Sequence, residues 1–215
     1  MILLPEMLYK YCSPNKLTYR SLLENYLWLS KPAYFNDPFD CLMHLHIKIY
    51  NRERIKQDDI SNKFGVTCLC EEYDNILMWS HYARFHEGVC VGFDTSLFPD
   101  GVKNKLIKVK YSNKRPILNY DENNKNKFVK ENVENAKKII RTKSCGWKYE
   151  KEWRLVYYEQ SGKVDIGNSI KQVIFGERFP KIMQDRVMKK LAGRNITFRE
   201  ASLSKISFKL DFKDL

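Results

Sequence analysis

What this sequence lacks narrows its class first. No apolar run reaches ten residues, and a helix that crosses a bilayer needs about 20, so no membrane span and no membrane partner is expected. The opening strip Met1 to Pro5 has no basic stretch before it and is interrupted by Glu6. No secretory leader is therefore expected, and the expected location is the cytoplasm. Glycine (9) and proline (7) are sparse in 215 residues, with no Gly/Ser linker and no internal repeat. That composition excludes a disordered, collagen-like or coiled-coil chain. The six cysteines are scattered, and Cys68-x-Cys70 is not the C-x-x-C knuckle of a zinc site. A chain of this length buries roughly 70% of its unfolded surface and needs no staple. The thiols are thus expected to be reduced core residues and the chain one domain.

What is present is charge of one sign in one half. The net charge is +12, but residues 1–100 carry 10 Lys and Arg against 13 Asp and Glu, while residues 101–215 carry 28 against 13. Nucleic acid or another polyanion therefore stays among the candidate partners. Lysine, asparagine, isoleucine and tyrosine abound while alanine is scarce, a bias of AT-rich coding that weakens a functional reading of the lysines. Much of the excess lies in a polar, lysine-rich insertion at about 113–143 and in a helix near 181–194, and reads as solvated surface.

Periodicity predicts strands over 7–11, 26–30, 66–70, 88–93, 106–111, 147–158, 173–175, 196–200 and 206–212. Helices are predicted from the Ser13-Pro14 start to about Glu24, over 75–83, from about Asn126 to Arg141, and near 181–191. His44, His46 and Lys48 alternate with apolar neighbours, as in a half-exposed strand or short helix. Strands and helices mix without strict alternation, so the expected class is α+β, with mixed sheets flanked by helices.

Three stretches could carry chemistry. Phe35-Asn36-Asp37-Pro38-Phe39-Asp40 reads as a tight turn, a reading compatible with an active-site loop, since rigid loops often carry function. Trp79 to Gly88 gathers Ser80, His81, Tyr82 and His86 between an apolar helix and a buried strand. His81 and His86 are five apart, which misses the spacing of paired metal ligands, so no metal is expected there. An imidazole beside Tyr82 suits an acid–base or substrate-orienting role, and equally a structural one at a helix end. Trp147 to Tyr158, read as a strand, places Lys148, Glu150, Glu152 and Arg154 on one face. That row is either an exposed salt-bridge ladder or a cleft-facing acid–base or substrate-gripping row.

These stretches, with Tyr9-Lys10-Tyr11 and Leu27 to Asp40, resemble a bacterial family of unknown function, domain of unknown function 2971. The order of elements also resembles, remotely, the ADP-ribosyltransferase fold. That resemblance implies NAD as co-substrate, gripped by Lys10 or the flanking Tyr9 and Tyr11, with Ser30 supporting the nicotinamide side. It further implies Glu152 or Glu150 stabilising the ribosyl charge, while Lys10 departs from the histidine or arginine expected on the first strand. His81 joins the glutamates as a catalytic candidate, and Asn36, Asp37, Asp40, Tyr82, His86 and Arg154 are candidate binding residues.

Three functions follow as expectations. One is an NAD-consuming transferase or hydrolase of the toxin or defence-effector kind. The second is a nucleic-acid binder or metal-dependent nuclease, in which Asp37, Asp40, Glu150 and Glu152 would gather magnesium. The third is a non-catalytic interaction domain.

Overall fold

The first strand sits in the middle of the main sheet, although the chain begins with it. The computed structural model describes residues 3–41, 44–49, 52–57, 63–121 and 137–215. The strands are β1 (Met7–Cys12), β2 (Tyr26–Leu29), β3 (His44–Ile49), β4 (Arg52–Gln57), β5 (Phe64–Cys70), β6 (Val89–Asp94), β7 (Leu106–Lys108), β8 (Lys110–Tyr111), β9 (Ile117–Asp121), β10 (Thr142–Lys143), β11 (Glu152–Tyr158), β12 (Gly162–Asp165), β13 (Ile170–Phe175), β14 (Thr197–Leu203) and β15 (Leu210–Asp214). The helices are α1 (Lys16–Glu24), α2 (Ile76–Tyr82), α3 (Asp100–Lys103) and α4 (Lys181–Leu191). Eight strands form the main sheet in the order β15-β14-β13-β6-β1-β5-β11-β7, and β12-β2, β10-β8 and β4-β3-β9 form small separate sheets. The fold is α+β, as the mixed order of elements predicts.

The main sheet is continuous except at its centre. β1 pairs with β6 at all six of its residues, from Met7 opposite Asp94 to Cys12 opposite Val89. β5 pairs with β11 at all seven of its residues, from Phe64 opposite Tyr158 to Cys70 opposite Glu152. Between β1 and β5 the only paired residues are Tyr9 and Cys70. The two strands therefore part beyond that point, and β2 meets β5 in a single bridge. Ser30 N donates to the Val66 carbonyl at 2.9 Å and Val66 N to the Ser30 carbonyl at 2.8 Å.

Period two in the strands assigns the two faces. Leu8, Leu69, Trp153, Leu155, Val91, Phe93 and Phe175 bury one face with Leu22 of α1 and with Val187 and Leu191 of α4. Tyr9, Tyr11, Cys70 and Cys90 bury the other against Met78 and Trp79 of α2. A third cluster, Cys41, Phe64, Val66, Ile139, Ile140 and Val156, continues that second face toward β11. Glu152 and Arg154, in register with Cys70 and Cys68, lie on this second face.

The ends of the elements correct four expectations. The α1 cap is Asn15, whose side chain accepts from Thr18 N at 2.9 Å, and not Ser13, whose carbonyl takes the Thr18 hydroxyl. The predicted strand over 147–158 begins only at Glu152, and Cys145–Glu150 is a 3-10 turn capped by Ser144. Its neighbours explain this, because the ladder to β5 ends at Cys70 opposite Glu152 and that to β7 at Lys108 opposite Trp153. The predicted strand over 206–212 starts at Leu210, although Ile206, Phe208 and Leu210 alternate as a strand would. The 106–111 strand divides, β7 joining the main sheet and β8 pairing with β10. The predicted helix from about Asn126 to Arg141 and much of the 113–143 insertion lie outside the described residues, which resume as helix at 137–140. The 44–49 stretch is strand β3.

α2 is bounded as predicted. Asn75 caps it by accepting from Leu77 N and Met78 N, and its amide donates to the Tyr149 carbonyl. Beyond Ala83 the chain takes three consecutive left-handed residues, Arg84, Phe85 and His86, with φ of 46, 55 and 70°. Gly88 then passes so close to β1 that a Cβ would lie 2.1 Å from the Cys12 carbonyl oxygen.

Candidate functional site

A cleft of about 370 Å³ opens where β1 and β5 part. Tyr9, Lys10 and Tyr11 line one side and Val66 to Cys70 the other. Trp28, Ser30, Tyr34, Phe35 and Asn36 form its mouth, Met78 and Tyr82 close it from α2, and Asp40, Lys143, Glu150 and Glu152 lie along it. Tyr34 is 81% exposed and Trp28 40%, so aromatic surface is available to a ligand at the entrance.

The charged groups form one buried network around Lys143. β10 pairs in parallel with β8, placing Lys143 opposite Tyr111, whose hydroxyl accepts from Glu152 N at 2.8 Å. That pairing delivers the Lys143 ammonium between two glutamates. It donates to Glu150 Oε2 and, at 2.9 Å, to Glu152 Oε2, with Asp40 Oδ2 3.7 Å away. Arg154 completes the set, its Nε donating to Glu152 Oε1 at 2.7 Å and its Nη2 to Asp40 Oδ2 at 2.6 Å. Its guanidinium lies 5.7 Å from the Phe35 ring centroid, and its side chain has no exposed surface. Tyr82 adds a hydroxyl that donates to Glu150 Oε1 at 2.6 Å and accepts from the Asn36 amide at 3.3 Å.

The two glutamates differ in proton affinity. Burial opposes ionisation of Glu152, but the charges of Arg154 and Lys143 outweigh it and hold the carboxyl at about 2. Burial pushes Glu150 above the usual carboxylate range, and Lys143 and the Tyr82 hydrogen bond offset only part of that. Burial would lower the lysine, yet Glu152 and Glu150 raise Lys143 well above its ordinary range. Three acids, Asp40, Glu150 and Glu152, face two cations, Lys143 and Arg154, in this network.

The Asn36 to Asp40 loop makes the tight turn expected of it. Asp37 accepts from Phe39 N at 2.9 Å through Oδ1, the side-chain turn that Asn and Asp favour, and from Trp147 Nε1 at 2.7 Å through Oδ2. Trp147 in turn lies over the Lys143 ammonium, 5.2 Å from its ring centroid, and meets the His81 ring edge-on at 6.4 Å.

Asn36, Asp40, Tyr82, Glu150, Glu152 and Arg154 are thus brought together directly, with Asp37 and His81 one residue removed through Trp147. His81 is exposed at the surface end of α2 and does not line the cleft. Tyr9 and Tyr11 reach the cleft but bury most of their rings under α2, where Tyr11 donates to the Glu72 carbonyl. Burial raises the Tyr9 hydroxyl to about 12. Lys10 projects to the opposite face and donates across the gap to the Cys68 carbonyl at 3.1 Å. Ser30 stands at the mouth.

Two expected placements differ. His86 does not reach the cleft, because it stacks on the far side of Trp79 with Nε2 3.3 Å from the Ser80 hydroxyl. Lys148 is exposed on the 3-10 turn, and the cation between the glutamates is Lys143. Nothing in the sequence singles out Lys143, the last residue of a stretch already crowded with lysines. Its ammonium stands where Asp40, Glu150 and Glu152 converge, and among the described residues no group of three His, Cys, Asp or Glu side chains is arranged to hold a metal ion. The six cysteines are unbridged, Cys41, Cys70 and Cys90 buried and Cys12, Cys68 and Cys145 half-buried. Among the described residues no helix is long and apolar enough to cross a membrane.

Residues 78–155 match the model of a family described as protein of unknown function (DUF2971). The match covers the Trp79 to Cys90 and Tyr149 to Arg154 segments that resemble that family, and it holds Tyr82, Lys143 and Arg154. Tyr9 to Tyr11 and Leu27 to Asp40 lie outside the matched residues. No curated protein and no solved structure matches the chain.

Proposed function

We propose that the chain is an NAD-consuming enzyme, a transferase or hydrolase that breaks the bond between nicotinamide and ribose in the cleft between β1 and β5. The observation that carries this reading is the pair of glutamates of unequal proton affinity beside an aromatic-mouthed cleft. Trp28 and Tyr34 offer faces on which a planar pyridinium ring could stack. As the glycosidic bond breaks, its electron pair leaves with the nicotinamide nitrogen and positive charge develops on the ribose. Glu152, ionised and fixed by Arg154, supplies the opposing charge from a position that needs no reorganisation. Glu150, with its raised proton affinity, takes the proton from the incoming water or hydroxyl. Lys143 and Tyr82 hold Glu150 in place, and Asn36 holds Tyr82.

The test is nicotinamide release from NAD by the purified protein, alone and with a cell lysate supplying acceptors. Glu150→Gln keeps the size of the side chain but replaces one of the two oxygens that accept from Tyr82 and Lys143 with an amide nitrogen. It should lower the rate by about 100-fold or more at a temperature where its melting curve shows it folded. No nicotinamide release by the wild type under either condition, or release unchanged in Glu150→Gln and Glu152→Gln, would remove this reading.

A further inference from the structure

We propose that the tip of the β14–β15 hairpin seats on an anionic lipid bilayer. This inference is independent of the cleft. The tip carries Ile206 at 96% and Phe208 at 98% exposure, with Leu203 also exposed beside them. Two large apolar side chains left almost wholly in water on one turn are costly unless something covers them. The turn is preformed: Ser204 N donates to the Lys209 carbonyl at 3.1 Å, Lys209 N to the Ser207 carbonyl at 2.9 Å, and the Ser204 and Ser207 hydroxyls are hydrogen-bonded at 3.3 Å. Covering it therefore costs little ordering entropy.

Charge selects the occupant. Lys205 and Lys209 flank the apolar pair, and neither side chain has an ion pair or hydrogen bond among the described residues. No acid lies between Ala201 and Leu210. Glu200, just before, is paired with Lys181, and Asp211, just after, lies on β15. An apolar tip collared by unpaired cations matches a surface that is apolar within and anionic at its face. A protein partner would have to bring both an apolar pocket and two acids. Behind the tip a groove of about 540 Å³, lined by Ile76, Leu77, Ser80 and His86, continues the apolar surface onto α2.

The experiment is flotation of the full chain with vesicles of phosphatidylcholine alone and of phosphatidylcholine and phosphatidylglycerol in equal parts. The wild type should float with the anionic vesicles at low salt and stay behind with the neutral ones. Each of Ile206→Ser and Phe208→Ser should lower partition roughly 10- to 100-fold, and each of Lys205→Gln and Lys209→Gln roughly fivefold. All four side chains project into solvent, so melting curves should match wild type. Failure to float with either vesicle overturns the proposal, as does equal flotation with both. So does a dimer in size-exclusion chromatography that Phe208→Ser dissolves while vesicle binding is absent, which would mark the tip as a protein contact.

Discussion

Replacing Lys143 by methionine keeps the length of the side chain and deletes its charge, leaving Asp40, Glu150 and Glu152 with Arg154 as their only cation. At the 2.9 Å between Lys143 Nζ and Glu152 Oε2, the gross attraction is about 6 kcal/mol for an effective dielectric constant of ~20. Desolvation of both ions offsets much of that in the intact protein. Once the lysine is removed the carboxylates stay desolvated with that attraction lost, and breaking a buried pair costs about 3–5 kcal/mol. In a domain of this size each kcal/mol lowers Tm by about 2–4 °C, so Lys143→Met should melt about 6–20 °C below wild type. The assay is thermal and urea unfolding by circular dichroism on wild type, Lys143→Met, Glu150→Gln and the double variant. Glu150→Gln removes one of the stranded acids, so the double variant should recover about 1–3 kcal/mol relative to Lys143→Met, a coupling that groups in one network show. A Lys143→Met variant within about 1 kcal/mol of wild type would place the lysine in water, as for a surface pair. A strictly additive double variant would likewise refute the shared network.

The unequal glutamates predict opposite pH responses. Glu150 has a raised folded pKa, so its contribution to stability is complete below the ordinary carboxylate value of 4.5 and is lost as pH rises through the folded value. Glu152 has a folded pKa of about 2, so its contribution is present above 4.5 and is lost as pH falls toward 2. Unfolding free energies measured from about pH 3 to pH 8 should therefore lose their decline on the alkaline side in Glu150→Gln and keep the acid-side decline. An alkaline decline unchanged in that variant would assign it to another group. Gly88→Ala should destabilise the fold by several kcal/mol, or abolish soluble expression, because the new Cβ meets the Cys12 carbonyl oxygen at 2.1 Å. A variant that melts with wild type would show that β1 and the α2–β6 junction can move apart.

Much of the fold is legible along the chain where local signals agree with the final environment. The α2 boundaries follow from Asn75 and Ala83, and the buried run from Val89 to Phe93 can be little else than a central strand. Where tertiary partners decide, periodicity misleads. Trp147 to Glu150 alternates like a strand but has no ladder partner, and Ile206 to Leu210 alternates like one but forms a turn. The candidate site is legible in its parts: the NDPFD loop, Tyr82 and the Glu-x-Glu-Trp-Arg segment do meet. Its centre is not, because Lys143 is one lysine among many until the β8–β10 pairing carries it inward. Arg154 is legible as a cation beside Glu152, but its complete burial depends on Phe35 and Ile140, far off in sequence.

The three left-handed residues after α2 set how the cleft can fluctuate. Each non-glycine residue in that region costs roughly 1–2 kcal/mol, so Arg84, Phe85 and His86 hold their shape only while tertiary contacts enforce it. Those contacts run outward. Gly88 N donates to the Ala83 carbonyl at 2.8 Å, Gly176 N to the Gly88 carbonyl at 2.9 Å, and Arg178 N to the His86 carbonyl at 3.0 Å. The reversal of handedness thus fastens the chain after α2 to Gly176 and Arg178, just past the end of β13. The wall of the cleft that carries Tyr82 is in this way tied to the main sheet, and displacing it would cost these backbone hydrogen bonds.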